Sequence, residues 1–314
     1  MSEAPFPVPP ARRRHPRLGY LMSSSAAVLW GINGGVSKTI LSTGLSSERL
    51  AQVRSLGAAA GLVAILAVTA PGRLRLTRRE LPYVATFGIG GLAFVQWFYF
   101  LAIHRLAIGV ALLIEYLAPL LVALWARFGN HEHVRRRIWA ALALALMGLG
   151  LIVNVFGGAS LSTAGIMFAL GGAFAYALYV LLAEHVVGGR DAVSLLAWGF
   201  LFASLFWAVL APWWSFPGHL LTESTSLGGN LSGHHLPVWL LAAWMIVLGT
   251  IAPFFLLVSA LRHLSATTVG IVAMLEPVVG AIVGWAWLSE ALDHVQLVGA
   301  GIVLAAIGLA QTAR

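Results

Sequence analysis

Long apolar runs alternate with short hydrophilic breaks along nearly the whole chain. Ten runs can be traced, at about 18–39, 47–69, 81–102, 106–127, 135–155, 162–185, 192–213, 237–260, 265–287 and 292–312. Each is close to the ~20 residues that a helix needs to cross a bilayer. The pattern therefore predicts an all-α polytopic membrane protein with ten transmembrane helices. Pro82 and Pro237 fall near helix starts, where a missing N–H costs little. Pro119, Pro253 and Pro277 fall inside runs and predict kinks or local openings.

Composition strengthens this reading. Sixty per cent of the 314 residues are hydrophobic and only 10% are charged, against about 25% charged in a soluble domain. There are no cysteines, so disulfide and thiolate chemistry are excluded. The formal charge of +8 comes from 18 Arg and one Lys. These cluster in the breaks between runs, which points to topology and not to a nucleic-acid partner.

With the N-terminus in the cytoplasm, 15 of the 19 basic residues fall on the inner side. Lys38, Arg49, Arg54 and Arg105 are the exceptions. The longest break, 215–236, has no Lys or Arg and is expected outside. Both termini are then expected in the cytoplasm. The Pro- and Arg-rich segment 1–17 reads as a disordered tail, and the run from Leu18 is too long for a signal peptide. Asn230-Leu231-Ser232 matches a glycosylation sequon, a pattern common by chance.

The two halves resemble each other. A shift of 158 residues lays 102–132 on 260–290 without a gap, matching Leu106 with Leu264, Pro119 with Pro277 and Glu132 with Glu290. At a slightly different shift, Met147-Gly148-Leu149 lies on Ile307-Gly308-Leu309. The expectation is two units of five helices, 18–155 and 162–312. An odd number of spans forces the second copy to insert upside down, a transporter design with its site at the interface of the halves.

Two lone carboxylates interrupt the apolar runs. Glu115 lies about nine residues into its run, roughly 13 Å deep, and Glu276 about eleven, roughly 16 Å. A charge at that depth is costly unless it faces a cavity or a partner. Under the 158 shift Glu276 falls on Ala118, three residues after Glu115, so both occupy one face of equivalent helices. They can bind an ammonium group, carry a proton, or both; alternatively each is a protonated carboxyl that serves packing, and Glu276 can satisfy backbone freed by Pro277.

Arg54 can bind a substrate carboxylate or pair with Glu115, or it can snorkel to the interface. Lys38 reads as an interface anchor. Trp30, Asn33, Gln96, Trp97, Tyr99 and Tyr116 are candidates for a path lining, where rings suit an apolar group or a cation; the competing role is the interfacial belt. Gly31/Gly35 and Gly280/Gly284 have the spacing of close helix packing. Gly88-Ile89-Gly90-Gly91 lacks the context of a nucleotide loop. His131-Glu132-His133 and His234-His235 lack further ligands, so no metal and no cofactor is expected.

These features resemble the drug/metabolite transporter superfamily, specifically the EamA-like ten-helix exporters, over about residues 18–312. The resemblance rests on the paired five-span units and on Val53-Arg54-Ser55-Leu56. It also rests on Phe98-Tyr99-Phe100-Leu101-Ala102-Ile103, on the stretch from Ala111 to Pro119, and on Leu275-Glu276-Pro277 with Leu288-Ser289-Glu290. The spacing from Glu115 to Pro119 is similar to the threonine/homoserine exporter branch. The resemblance implies a secondary transporter of a bacterial inner membrane that exports amino acids or related small metabolites by alternating access, with proton coupling as an option. The partners expected are a small-molecule substrate and the lipid bilayer, without nucleic acid; monomer and homodimer stay open. The alternatives are a drug or other metabolite transporter of the same fold, or a membrane-embedded enzyme. For the last, no His-Glu-x-x-His, Gly-x-Ser-x-Gly or Walker pattern is present.

Overall fold

Lipid offers the backbone no hydrogen-bond partner, so each apolar run satisfies its own N–H and C=O groups by winding into a helix. The computed structural model describes residues 15–106, 108–153, 162–186 and 189–312. The tail through residue 14, the last two residues of the fifth run and Arg314 lie outside the described residues. The helices are α1 (Pro16–Leu41), α2 (Ser47–Thr69), α3 (Leu81–Ile103), α4 (Val110–Gly129) and α5 (Arg136–Ile152). After them come α6 (Thr163–Val186), α7 (Ala192–Leu210), α8 (Val238–Ala260), α9 (Ala266–Ala286) and α10 (His294–Gln311). Among the described residues, eight of these are long and apolar enough to cross a membrane. The other two are α1, diluted by Ser23, Ser24, Ser25 and Asn33, and α5, which has 17 residues.

The helices are less regular than the runs predict. Winding loosens to π turns over Thr86–Ala93 in α3, Trp125–Gly129 in α4 and Val247–Ile251 in α8. α4 is interrupted at Tyr116 and Leu117, and α9 at Met274. Pro119, Pro253 and Pro277 each follow one of these irregularities by two or three residues, because proline lacks an N–H and its ring crowds the carbonyl four residues earlier. The all-α expectation needs one correction. The break after α7 holds a two-stranded antiparallel β-ribbon, β1 (Ser224–Ser226) paired with β2 (His235–Pro237). The ribbon is tied to helix ends: Leu227 O accepts from Trp287 Nε1 at 3.0 Å, and Asn230 N donates to Trp287 O at 2.8 Å. Asn230 Nδ2 is itself engaged by Ala286 O at 3.1 Å.

Local geometry recurs at the 158-residue spacing. His131 and Ser289 are the two non-glycine residues with positive φ among those described, at 56° and 60°. Each precedes a return bond, Glu132 N to Ala126 O at 2.8 Å and Glu290 N to Gly284 O at 3.0 Å. Leu106 N donates to Ala102 O, and Leu264 N to Ala260 O, both at 2.9 Å. The interruption at Met274 falls on that at Tyr116, and the π turn in α8 falls on the second part of that in α3.

α2 and α7 pack side by side and are clasped by an arginine at each end. At one end Arg49 Nη1 donates to Gln52 Oε1 and Ala211 O, both at 2.8 Å, and to Pro212 O at 3.0 Å, while Nη2 reaches Ser215 Oγ at 2.6 Å. At the other end Arg190, its side chain 7% exposed, donates from Nη1 to Glu80 Oε1 at 2.9 Å. Its Nη2 reaches Arg73 O and Arg75 O, both at 3.0 Å, and its Nε reaches Ser194 Oγ at 2.9 Å. Backbone carbonyls of the segment that follows each helix are thus engaged by a guanidinium from the other half, a charge-assisted arrangement. Burial pushes the Glu80 carboxyl up. Hydrogen bonds from Thr77 N and Oγ1, both at 2.9 Å, and the Arg190 guanidinium outweigh burial and hold Glu80 below its usual range.

Removing one partner of such a buried pair strands the other, at about 3–5 kcal/mol. Arg190→Ala should therefore lower the melting temperature in detergent far more than Arg78→Ala, an exposed control in the break that holds Glu80. A carboxyl held low in the folded state stabilises above its ordinary titration range and loses that contribution as pH falls through its folded value. Acidification should accordingly lower the wild-type melting temperature through the carboxylate range, and Glu80→Gln should flatten that part of the curve; parallel curves would remove Glu80 as a contributor.

Candidate functional site

A cavity of about 350 Å³ opens where α1, α2, α3 and α4 of the first half meet α6, α8 and α9 of the second. That volume is in the range of small-molecule pockets. Of the eight side chains singled out as binding or coupling candidates, seven line it: Trp30, Asn33, Arg54, Gln96, Glu115, Tyr116 and Glu276. Trp97 does not. Its ring packs instead on Phe94, Phe98 and Phe206, with centroids 5.5–5.8 Å apart.

The interruptions in α4 and α9 set the central contact. Tyr116, freed from regular winding, turns its hydroxyl across to the second half and donates to Glu276 Oε2 at 2.8 Å. Glu276 sits two residues after Met274, at the restart of α9, with Pro277 beside it also on the wall. Glu115 differs: its carboxylate lies over Gly172 of α6 and has no hydrogen-bond or ion-pair partner among the described residues. A Cβ added at Gly172 would stand 3.7 Å from Glu115 Oε2. Both glutamates are half-buried, since part of each faces the cavity.

Arg54 turns inward and does not snorkel. Its Nε donates to Thr250 Oγ1 at 3.3 Å, in the π turn of α8, and its charge acts on Glu276; the pair with Glu115 that the sequence suggested is not among the ion pairs of the described residues. Lys38 is tied by an ion pair to Glu290. Buried polar atoms remain without protein partners on the wall: Asn33 Oδ1, Gln96 Oε1 and Tyr179 Oη. Gln96 Nε2 is engaged by Leu92 O at 3.1 Å.

The aromatic wall is larger than the sequence reading held. Tyr99 lines it, and Tyr176, Tyr179 and Phe254 add to it. Tyr176 meets Tyr116 edge-on at 6.4 Å and stacks on Tyr179 at 5.9 Å; Phe254 meets Trp30 edge-on at 5.0 Å. A signal for the missed pair did exist: Tyr176 and Tyr179 lie deep in the run 162–185, below the interfacial level where Tyr is ordinarily enriched. The packing assigned to Gly280 is also corrected. A Cβ there would meet nothing within 4 Å, because the residue borders the cavity, as does Gly34. Gly31 and Gly35 do pack closely on α9, against Val279 and Val283, whereas a Cβ at Gly284 would meet the Glu290 side chain just beyond its own helix. Pro119 and Pro253 are buried off the cavity wall.

The chain matches the EamA-like transporter family twice, over residues 17–154 and 163–312. It is 26% identical over 255 residues to the threonine/homoserine exporter RhtA of Escherichia coli K12, covering 81% of this chain and 79% of that protein. The inner membrane transporter YicL of Salmonella typhimurium LT2 is 22% identical over 298 residues, covering 93% and 94%. A solved crystal structure superposes with a TM-score of 0.74 at 18% identity, covering 94% of this chain and 96% of that one, which establishes the likeness of fold. Two consecutive matches to one family, on a nearly all-helical chain with eight apolar helices long enough to cross a membrane, identify a multi-pass membrane protein that belongs to the EamA-like transporter family.

Proposed function

We propose that this chain is a secondary transporter that exports amino acids or related small metabolites across a bacterial inner membrane by alternating access. All ten helices cross the bilayer in this reading. The five-helix halves, 18–155 and 162–312, insert in opposite senses, and both termini face the cytoplasm. The recurring turns at a 158-residue spacing and the excess of arginine on one side support that arrangement. The exporters RhtA, whose name gives threonine and homoserine as cargo, support the substrate class.

The observation that carries the reading is the unpartnered Glu115 carboxylate on the wall of an inter-half cavity. Two carboxylates and one guanidinium leave one negative charge uncompensated when all are ionised. A ligand ammonium or a proton completes the balance, and exchange of one for the other couples transport to the proton gradient. Trp30, Tyr99, Tyr176 and Phe254 supply faces for an apolar group or a cation. Arg54, whose Nε alone is engaged, offers its remaining donors to a ligand carboxylate.

Proteoliposomes preloaded with labelled threonine, homoserine and a panel of other amino acids test the proposal. Glu115→Gln should cut efflux at least tenfold and flatten its pH dependence; unchanged rates and an unchanged profile would take Glu115 out of the mechanism. Gly34→Leu adds bulk on the cavity wall at a position where a Cβ meets nothing within 4 Å, and replaces glycine by a better helix former, worth up to ~1 kcal/mol. It should leave the melting temperature equal or higher while efflux falls. Full efflux from that variant would place the substrate elsewhere.

A further inference from the structure

Contacts between the halves come in exchanged pairs. A Cβ at Gly19 would stand 2.6 Å from Leu264 Cγ, and one at Gly165 would stand 2.6 Å from Leu106 Cγ. Leu106 and Leu264 are partners under the 158 shift, and Gly19 and Gly165 are the corresponding residues at the starts of α1 and α6. The same holds one layer deeper. The Asn33 side chain lies over Gly249 in the π turn of α8, and Tyr179 lies over Gly91 in the π turn of α3. Gly91 and Gly249 are again 158 residues apart, and Asn33 and Tyr179 are separated by the same interval as Gly19 and Gly165.

The crossing of α4 and α9 breaks this exchange. Beyond the interruptions, residues 118–124 of α4 pack on residues 266–273 of α9. There Gly270 lets Pro119 approach so closely that an added Cβ would stand 2.8 Å from Pro119 Cγ. The side chains around them, Val122, Val269, Val272 and Ala273, are buried. Exchange by 158 turns the pair Pro119 and Gly270 into Pro277 and Leu112. Those two do not seal anything here: both line the open cavity. One end of the crossing is shut and its counterpart is open, with the Tyr116–Glu276 bond of 2.8 Å between them.

We propose that Leu112 is an outer gate residue, which seats against Pro277 and the bare backbone of Gly280 when the inner contact between Pro119 and Gly270 parts. The inference rests on the alternating-access reading. The outer pair places a large side chain where the inner pair has glycine, so it needs a recess elsewhere. Gly280 supplies one: it is three residues after Pro277, on the same helix face, borders the cavity, and has nothing within 4 Å of an added Cβ. The gate closes over Glu115 and Tyr116, one turn further along α4 from Leu112.

The chain has no cysteine, so introduced thiols report alone. Leu112→Cys and Gly280→Cys are combined with Gly34→Cys, a reporter on the cavity wall, in right-side-out membrane vesicles. Oxidation with copper phenanthroline should join the first two thiols. It should slow labelling of the reporter by a membrane-impermeant maleimide at least tenfold, and reductant should restore it. No disulfide while the reporter stays reactive, or a disulfide that leaves its labelling unchanged, overturns the gate. Gly280→Leu provides a check that needs no cross-link. It should keep the wild-type melting temperature and outer labelling of Gly34→Cys, yet abolish exchange of the amino acid that the wild type carries. Wild-type exchange in Gly280→Leu overturns the gate, and absence of flux for every amino acid in the wild type sinks the transport reading instead. Labelling of Gly34→Cys only from the cytoplasmic face overturns the assignment of Leu112 to the outer side.

Discussion

The Tyr116–Glu276 hydrogen bond joins the two halves at the one level where both of their central helices lose regular winding. A carboxylate at this depth must find a donor or face a cavity, and Glu276 does both. Its neighbour Pro277 cannot donate to the helix, so α9 restarts there; α4 opens at Tyr116 and Leu117, just ahead of Pro119. The freed backbone and the freed side chains lie together, where they border a cavity and not lipid. The rest of the site follows from this point: Glu115 is one residue before Tyr116, Arg54 is held by Thr250 in the loosened turn of α8, and the aromatic wall closes around them.

Around this irregular centre the frame is tightly satisfied. The Arg49 and Arg190 clasps secure α2 and α7 at both ends through backbone carbonyls of the segments that follow each helix. The contrast has a mechanical meaning. Where polar groups are fully paired, movement breaks bonds. At the crossing of α4 and α9, the closed contact is an apolar one between Pro119 and Gly270, which can part without stranding a hydrogen bond.

Much of the architecture was legible because membrane solvent imposes a simple rule: twenty apolar residues, then a break. The proline positions announced the interruptions, and the aligned Pro and Glu residues announced the 158-residue spacing that the turns at His131 and Ser289 repeat. The β-ribbon after α7 was not legible, since its strands are three residues each and depend on contacts with α1 and α9. The cavity wall was legible where a residue was anomalous for its surroundings, as Glu115, Glu276 and Arg54 are. It was misread where residues were ordinary: Trp97 proved to be packing, Gly280 proved to border the cavity, and Tyr176 and Tyr179 were missed.

The difference has a physical origin. In a soluble helix the polar face marks water and the apolar face marks the core. In a bilayer the lipid and the protein interior are equally apolar, so periodicity does not show which face turns inward. The sequence by itself therefore determined what had to be buried in a membrane, that α4, α8 and α9 would yield near a proline, and which charges could not be left to lipid. Only the tertiary structure decided which faces meet, that Glu276 rather than Glu115 takes the tyrosine bond, and that the crossing is closed at Gly270 and open at Leu112.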